Sequence, residues 1–224
     1  SYSVTGVQTC ALPIYKFWGE SERMIHALFE EARAKCPSVL FFDEFDALGT
    51  SRGKSDSQFF RTLANQLLQE MDGLHARNEG LLLFAATNMP WQVDPAFRRP
   101  GRFDRVLFIP PPDDTARLGI LRARTAKLPG GPDLPHERLL AATRLFSGAD
   151  VKALCDQAAE YALERSLEMG RAQALSLDDF TRASKCVKSS ILEWLATARN
   201  HARYANEGGR YDELVAFLKS VGRW

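Results

Sequence analysis

Val39-Leu40-Phe41-Phe42-Asp43-Glu44-Phe45-Asp46 constrains this chain more than any other stretch. Four consecutive apolar residues predict a strand buried on both faces, of the kind found in parallel sheets. Two adjacent carboxylates then fall at its C-terminal end, the edge at which open α/β sheets leave a ligand crevice. Such a pair suits nucleotide hydrolysis: one carboxylate holds a hydrated Mg²⁺ and the other orients or deprotonates a water. Eight residues are equally consistent with a buried strand followed by a solvated acidic turn, so the rest of the sequence has to decide.

The flanking pattern is that of an α/β unit. Met24, Ile25, Leu28, Phe29 and Ala32 recur at helical spacing behind Glu20 and Glu22, acids that complement the helix dipole, and Lys35-Cys36-Pro37 closes the segment. Phe60, Leu63, Ala64, Leu67, Leu68 and Met71 predict a second amphipathic helix over Ser57 to Met71, closed by Asp72-Gly73. Leu81 to Ala86 predicts a second buried strand with Thr87-Asn88 at its end, and Val106 to Ile109 a last one before Pro110-Pro111-Pro112. Beyond the prolines helices are expected over about Asp114 to Lys127, Pro135 to Thr143, Ala149 to Met169 and Asp178 to Lys188. Two more follow over Ser190 to Asn206 and Tyr211 to Ser220, where packing is favoured over partner binding.

Several residues carry two readings. Asn88 could bond a phosphate or an attacking water, or cap the turn before Pro90. Arg98, Arg99, Arg102 and Arg105 could form a solvated face or stabilise charge on a transferring phosphoryl. Ser147-Gly148-Ala149-Asp150 reads as a helix start with Ser147 as its cap. Phe17-Trp18 beside Gly19 could tuck into a core or mark a contact surface.

With Lys16-Phe17-Trp18-Gly19-Glu20-Ser21-Glu22 followed by Val39 to Asp46, the chain resembles the AAA ATPase family, in particular the group of valosin-containing protein, katanin, spastin and bacterial relatives. The resemblance covers Tyr15 to about Lys188. It implies ATP and Mg²⁺ as cofactors, Asp43 as the Walker B metal-binding aspartate and Glu44 as the residue that polarises the lytic water. It further implies Asn88 as sensor 1 and Arg99 and Arg102 as arginine fingers acting on the neighbouring subunit of a homo-oligomeric ring, a hexamer in the intact parent. Phe17 and Trp18 take the place of the pore loop that grips a threaded polypeptide. Gly148 and Ala149 match the sensor 2 region, where small residues let the backbone approach adenine.

The implied fold is a three-layer α/β domain over residues 15–112, a helical lid over 113–189 and C-terminal helices over 190–224. The α/β domain is read as truncated, its parallel sheet lacking the first strand and the phosphate loop. No GxxxxGK[ST] occurs in the sequence; Gly49-Thr50-Ser51-Arg52-Gly53-Lys54-Ser55 has one residue too few between its glycines and follows the wrong strand. The fragment itself is therefore expected to be inactive. Residues 1–14 are set apart as non-native, because Val4 to Ile14 resembles the in-frame translation of a sequencing-library adapter.

Composition narrows the partners. A net charge of +1 gives no reason to expect bulk nucleic acid, although a DNA-acting motor of the wider family and a non-enzymatic binding fragment stay open as alternatives. Cys10, Cys36, Cys155 and Cys186 lack metal-ligand spacing and are expected as reduced, buried or half-buried thiols in a cytoplasmic protein. No apolar run approaches the ~20 residues of a membrane span, and no basic residue precedes Lys16 as a secretory leader would require. His136-Glu137-Arg138-Leu139-Leu140 lacks the second histidine of a zinc-protease motif.

Overall fold

Helix α1 (Glu20–Ala34) leads directly into strand β1 (Ser38–Phe42), and a short α2 (Asp46–Gly49) follows. Helix α3 (Ser57–Asp72) precedes strand β2 (Leu81–Ala85). This computed structural model describes residues 20–49, 57–72 and 78–224. The strands pair in parallel, Ser38 opposite Leu81 through Phe42 opposite Ala85, so their C-terminal ends lie side by side. A parallel pair requires a crossover between its strands, and α3 lies within it. The chain divides into two units, Ser1–Leu107 and Phe108–Trp224.

In the first unit the apolar stripes of α1 and α3 cover one face of the sheet. Ile25, Phe29, Leu40, Phe42, Phe45, Leu63, Leu67, Met71, Val93 and Phe97 form its core. Phe45 is 1% exposed and meets Phe97 and Phe103 edge-on, with centroids 4.9 and 5.0 Å away. A buried ion pair ties the two helices: Glu70, 7% exposed, accepts from Arg33 at 2.9 Å and bonds His26 Nδ1 at 2.7 Å.

The other face of the sheet, where alternation puts Phe41, Leu82 and Phe84, is exposed. Among the described residues the parallel sheet and one helical layer of the expected α/β domain are formed. The third expected strand differs. Val106, Leu107 and Ile109 are exposed and unpaired in any ladder, with Ile109 80% accessible. An apolar run supplies strand propensity, but a strand needs an adjacent edge to bond, and no described element offers one there.

The second unit is all helical. It comprises α4 (Asp114–Thr125), a 3₁₀ turn over His136–Leu139, α5 (Gly148–Met169), α6 (Leu177–Cys186), α7 (Leu192–Tyr204) and α8 (Asp212–Ser220). Leu121, Phe146, Val151, Leu154, Ala158, Phe180 and Ala183 lie in its core. The helix expected over Pro135 to Thr143 is reduced to the 3₁₀ turn. The Leu139 carbonyl accepts from the Thr143 hydroxyl, the buried Arg117 guanidinium reaches Thr143 Oγ1 at 3.3 Å, and Leu145 takes a left-handed φ of 61°.

The boundary falls after Leu107, ahead of the expected Pro112, and α7 and α8 belong to the same unit as the helices before them. The expected burial of the thiols holds for Cys155, which burial pushes up to about 11, whereas Cys36 and Cys186 are exposed. Cys10 lies outside the described residues. No described helix is long and apolar enough to cross a membrane.

His136 is buried, with Nε2 2.8 Å from Thr125 Oγ1. Burial, and then the nearby Arg122 charge, hold its pKa below the ordinary value of 6.5. The folded state thus resists a proton that the unfolded chain accepts, and stability must fall as pH drops from about 6.5 through the lowered value. A His136→Gln variant should lose that part of the acid dependence, read as a flatter melting temperature between about pH 7 and 5.

Candidate functional site

The rim is shaped by a two-residue detour. Ala86 N–H donates to the Phe42 carbonyl at 2.8 Å, and the Phe45 N–H donates to the Ala86 carbonyl at 2.9 Å. One residue beyond β2 is thus bonded on both sides, and Asp43-Glu44 is looped out between those bonds. The reversal places Glu44 at φ 49°, left-handed backbone that a non-glycine residue adopts at a cost of about 1–3 kcal/mol. Both carboxylates are exposed. Asp43 Oδ1 accepts from the Glu44 N–H at 2.9 Å, which orients the group and leaves its second oxygen to other partners.

The neighbouring strand brings Thr87-Asn88 to the same rim, because Phe42 and Ala85 are paired and the strands are parallel. Asn88 is exposed there. Thr87 Oγ1 donates to Asp46 Oδ1 at 2.5 Å and accepts from the Met89 N–H at 2.9 Å, so it fastens the two loops to each other. Neither Thr87 nor Asp46 carries such a role in the motifs of the sequence. The available signal was a third carboxylate three residues after Asp43, opposite a hydroxyl at the matching strand end.

The arginine segment follows a short 3₁₀ turn, Pro95–Arg98, capped by Asp94, whose carboxylate accepts from the Ala96 N–H at 2.8 Å. The structure separates two arginines that the sequence treats alike. Arg102 is committed within its own chain: its Nε donates to Asp72 Oδ2, and its Nη1 donates to the Ala96 carbonyl at 2.7 Å. Only 15% of its side chain is exposed. Arg99, by contrast, is exposed. Gly101, at φ 88°, makes the turn between them that a side chain would strain.

In the second unit Gly148 and Ala149 open α5 directly behind Ser147. A Cβ on Gly148 would meet only Ile120 Cδ1 at 3.9 Å, an ordinary contact, so packing within this unit does not demand glycine there. Asp150 completes a capping box: its carboxylate accepts from the Ser147 N–H at 2.8 Å, and its N–H donates to Ser147 Oγ at 3.1 Å. It also accepts from the Ser190 N–H at 3.1 Å, ahead of α7. Burial raises the pKa of this carboxylate, but the Ser147 and Ser190 hydrogen bonds outweigh it and hold it below the ordinary value. Asp150→Ala leaves two amides without that acceptor and should destabilise the helical unit by on the order of 3 kcal/mol, read by denaturant unfolding.

Phe17 and Trp18, expected to grip substrate, lie outside the described residues, as do residues 50–55 of the glycine-lysine loop. No group of three or more metal-ligating side chains occurs among the described residues. Mg²⁺ keeps most of its waters and takes one or two carboxylates with substrate phosphates, so it does not require such a group. Asp43 fits that demand.

Comparison with known proteins agrees with this architecture. Residues 3–111 match the model of the ATPase family associated with various cellular activities (AAA), a match that begins inside the segment set apart as adapter-like. A cell division cycle protein 48 homolog of Archaeoglobus fulgidus is 37% identical over 218 residues, covering 92% of this chain and 30% of the relative. The mouse ATPase family gene 2 protein homolog B is 36% identical, covering 83% and 27%. The chain thus spans less than a third of the length of these curated relatives. The crystal structure of the FIGL-1 AAA domain in complex with ADP is similar with a TM-score of 0.69 and 29% identity, over 83% of this chain and 63% of that one. With its parallel α/β sheet, acidic rim and helical second unit, this chain belongs to the AAA family of ATPases.

Proposed function

We propose that this chain supplies the hydrolytic rim and helical lid of an ATPase that works as a ring, a hexamer, on polypeptide substrates drawn past Phe17 and Trp18. The observation that carries the reading is the parallel register, which sets Asp43-Glu44 and Thr87-Asn88 at the ends of adjacent strands. Asp43 would hold Mg²⁺ through water, and the ion would neutralise charge on the phosphates. Glu44 accepts a proton from the attacking water, and Asn88 positions that water or a terminal phosphate oxygen. Arg99 reaches the triphosphate bound by the adjacent subunit. Gly148 and Ala149 lie against the adenine.

The phosphate-cradling amides and lysine must come from residues that carry a GxxxxGK[ST], which this sequence does not contain. A chain extended with such a segment is the proper test, assayed for steady-state ATP hydrolysis as it assembles. Turnover that rises with oligomerisation is expected, and an assembled ring without turnover would end the proposal. The chain as it stands should bind Mg-ATP no more tightly than about 1 mM by calorimetry, a free energy near −4 kcal/mol.

A further inference from the structure

Phe108 is the first residue of the helical unit, and it is gripped by helices far along the chain. Its ring lies parallel to the Trp194 indole of α7, with centroids 6.4 Å apart and 7° between the planes. Phe217 of α8 is 5.5 Å away. The Phe108 N–H donates to Glu213 Oε2 of α8 at 3.0 Å. Its neighbours Leu107 and Ile109 are 69% and 80% exposed, so one residue of an open run has been singled out. The two helices that hold it are themselves fastened to the rest of the unit. Asp150 accepts from the Ser190 N–H, Ser189 Oγ donates to the Leu145 carbonyl at 2.6 Å, and Arg144 donates to the Val221 carbonyl at 3.1 Å.

We propose that α7 and α8 are a latch that closes the helical unit on its own first residue. By holding Phe108 they make it part of that unit's folded body. The aromatic stack resists sliding, and the bond to Glu213 fixes the backbone itself, which side-chain packing alone would not do.

The test uses the full chain without nucleotide, so it stands even if the ATPase reading fails. Amide exchange at Phe108, resolved by NMR, is compared among the wild type, Glu213→Ala and Trp194→Ala, with tryptic cleavage after Arg105 followed in parallel. Phe108 exchange should accelerate roughly tenfold in Glu213→Ala, the effect of one hydrogen bond to a charged acceptor, while α5 and α6 stay protected. Trp194→Ala should act in the same direction, and cleavage at Arg105 should speed up several-fold in both. Glu213 is exposed, so that variant remains readable even if Trp194→Ala frays α7. Unchanged Phe108 exchange in Glu213→Ala, or unchanged cleavage at Arg105, overturns the latch.

Discussion

Glu44→Gln, made in a chain that also carries a phosphate loop, should retain ATP binding and lose turnover by about 10²–10⁴-fold, the usual contribution of a positioned general base. Glutamine keeps the size and hydrogen-bonding reach of the side chain but cannot take a proton. Its amide should also tolerate the left-handed backbone at φ 49° about as well as the native residue, so folding is expected to be nearly unchanged. Nucleotide affinity is measured by equilibrium binding and turnover by phosphate release. Turnover within threefold of wild type would remove Glu44 from the role of base. Weakened binding with unchanged turnover would instead make it a ground-state contact.

The second large effect separates the arginines. Arg99→Ala should reduce turnover by about 10³-fold or more, the scale at which a guanidinium supplied in trans acts on phosphoryl transfer, with little change in melting temperature. Arg102→Ala should lower the melting temperature as well, because it deletes the ion pair to Asp72 and the bond to the Ala96 carbonyl that hold the loop. Mixing Arg99→Ala subunits with Glu44→Gln subunits distinguishes action on a neighbour from action in cis, because only in trans can the two variants rebuild a complete site between them. If such mixed rings recovered no turnover, the trans assignment would be lost. Equal thermal stability of the two variants would remove the distinction between them.

The helices and both strands were legible because their apolar residues repeat with the period of the element they form: Ile25, Phe29 and Ala32 on α1, Leu63, Leu67 and Met71 on α3. Capping was legible for the same local reason. Ser147 and Asp150 are three residues apart, and their reciprocal bonds need nothing else from the fold. The strand expected over Val106 to Ile109 was not realised in the described residues, because ladder formation depends on a partner edge distant in sequence. The helix expected over Pro135 to Thr143 gave way to a 3₁₀ turn, where Arg117 Nη2 donates to the Leu140 carbonyl at 3.5 Å and the Thr143 hydroxyl to the Leu139 carbonyl at 3.0 Å, partners that no local period announces.

What the sequence by itself determined is the inventory: an apolar strand ending in two acids, a second ending in Thr87-Asn88, an arginine cluster, and helices with their caps. Each of these follows from residues within one or two turns of one another. Tertiary structure alone decided how they are used: the Ala86 bonds that loop Asp43-Glu44 outward, the Thr87 to Asp46 fastening, the commitment of Arg102 to Asp72, and the hold of α7 and α8 on Phe108. These are bonds between positions tens of residues apart, and no local period or propensity encodes which donor will find which acceptor once the chain has closed.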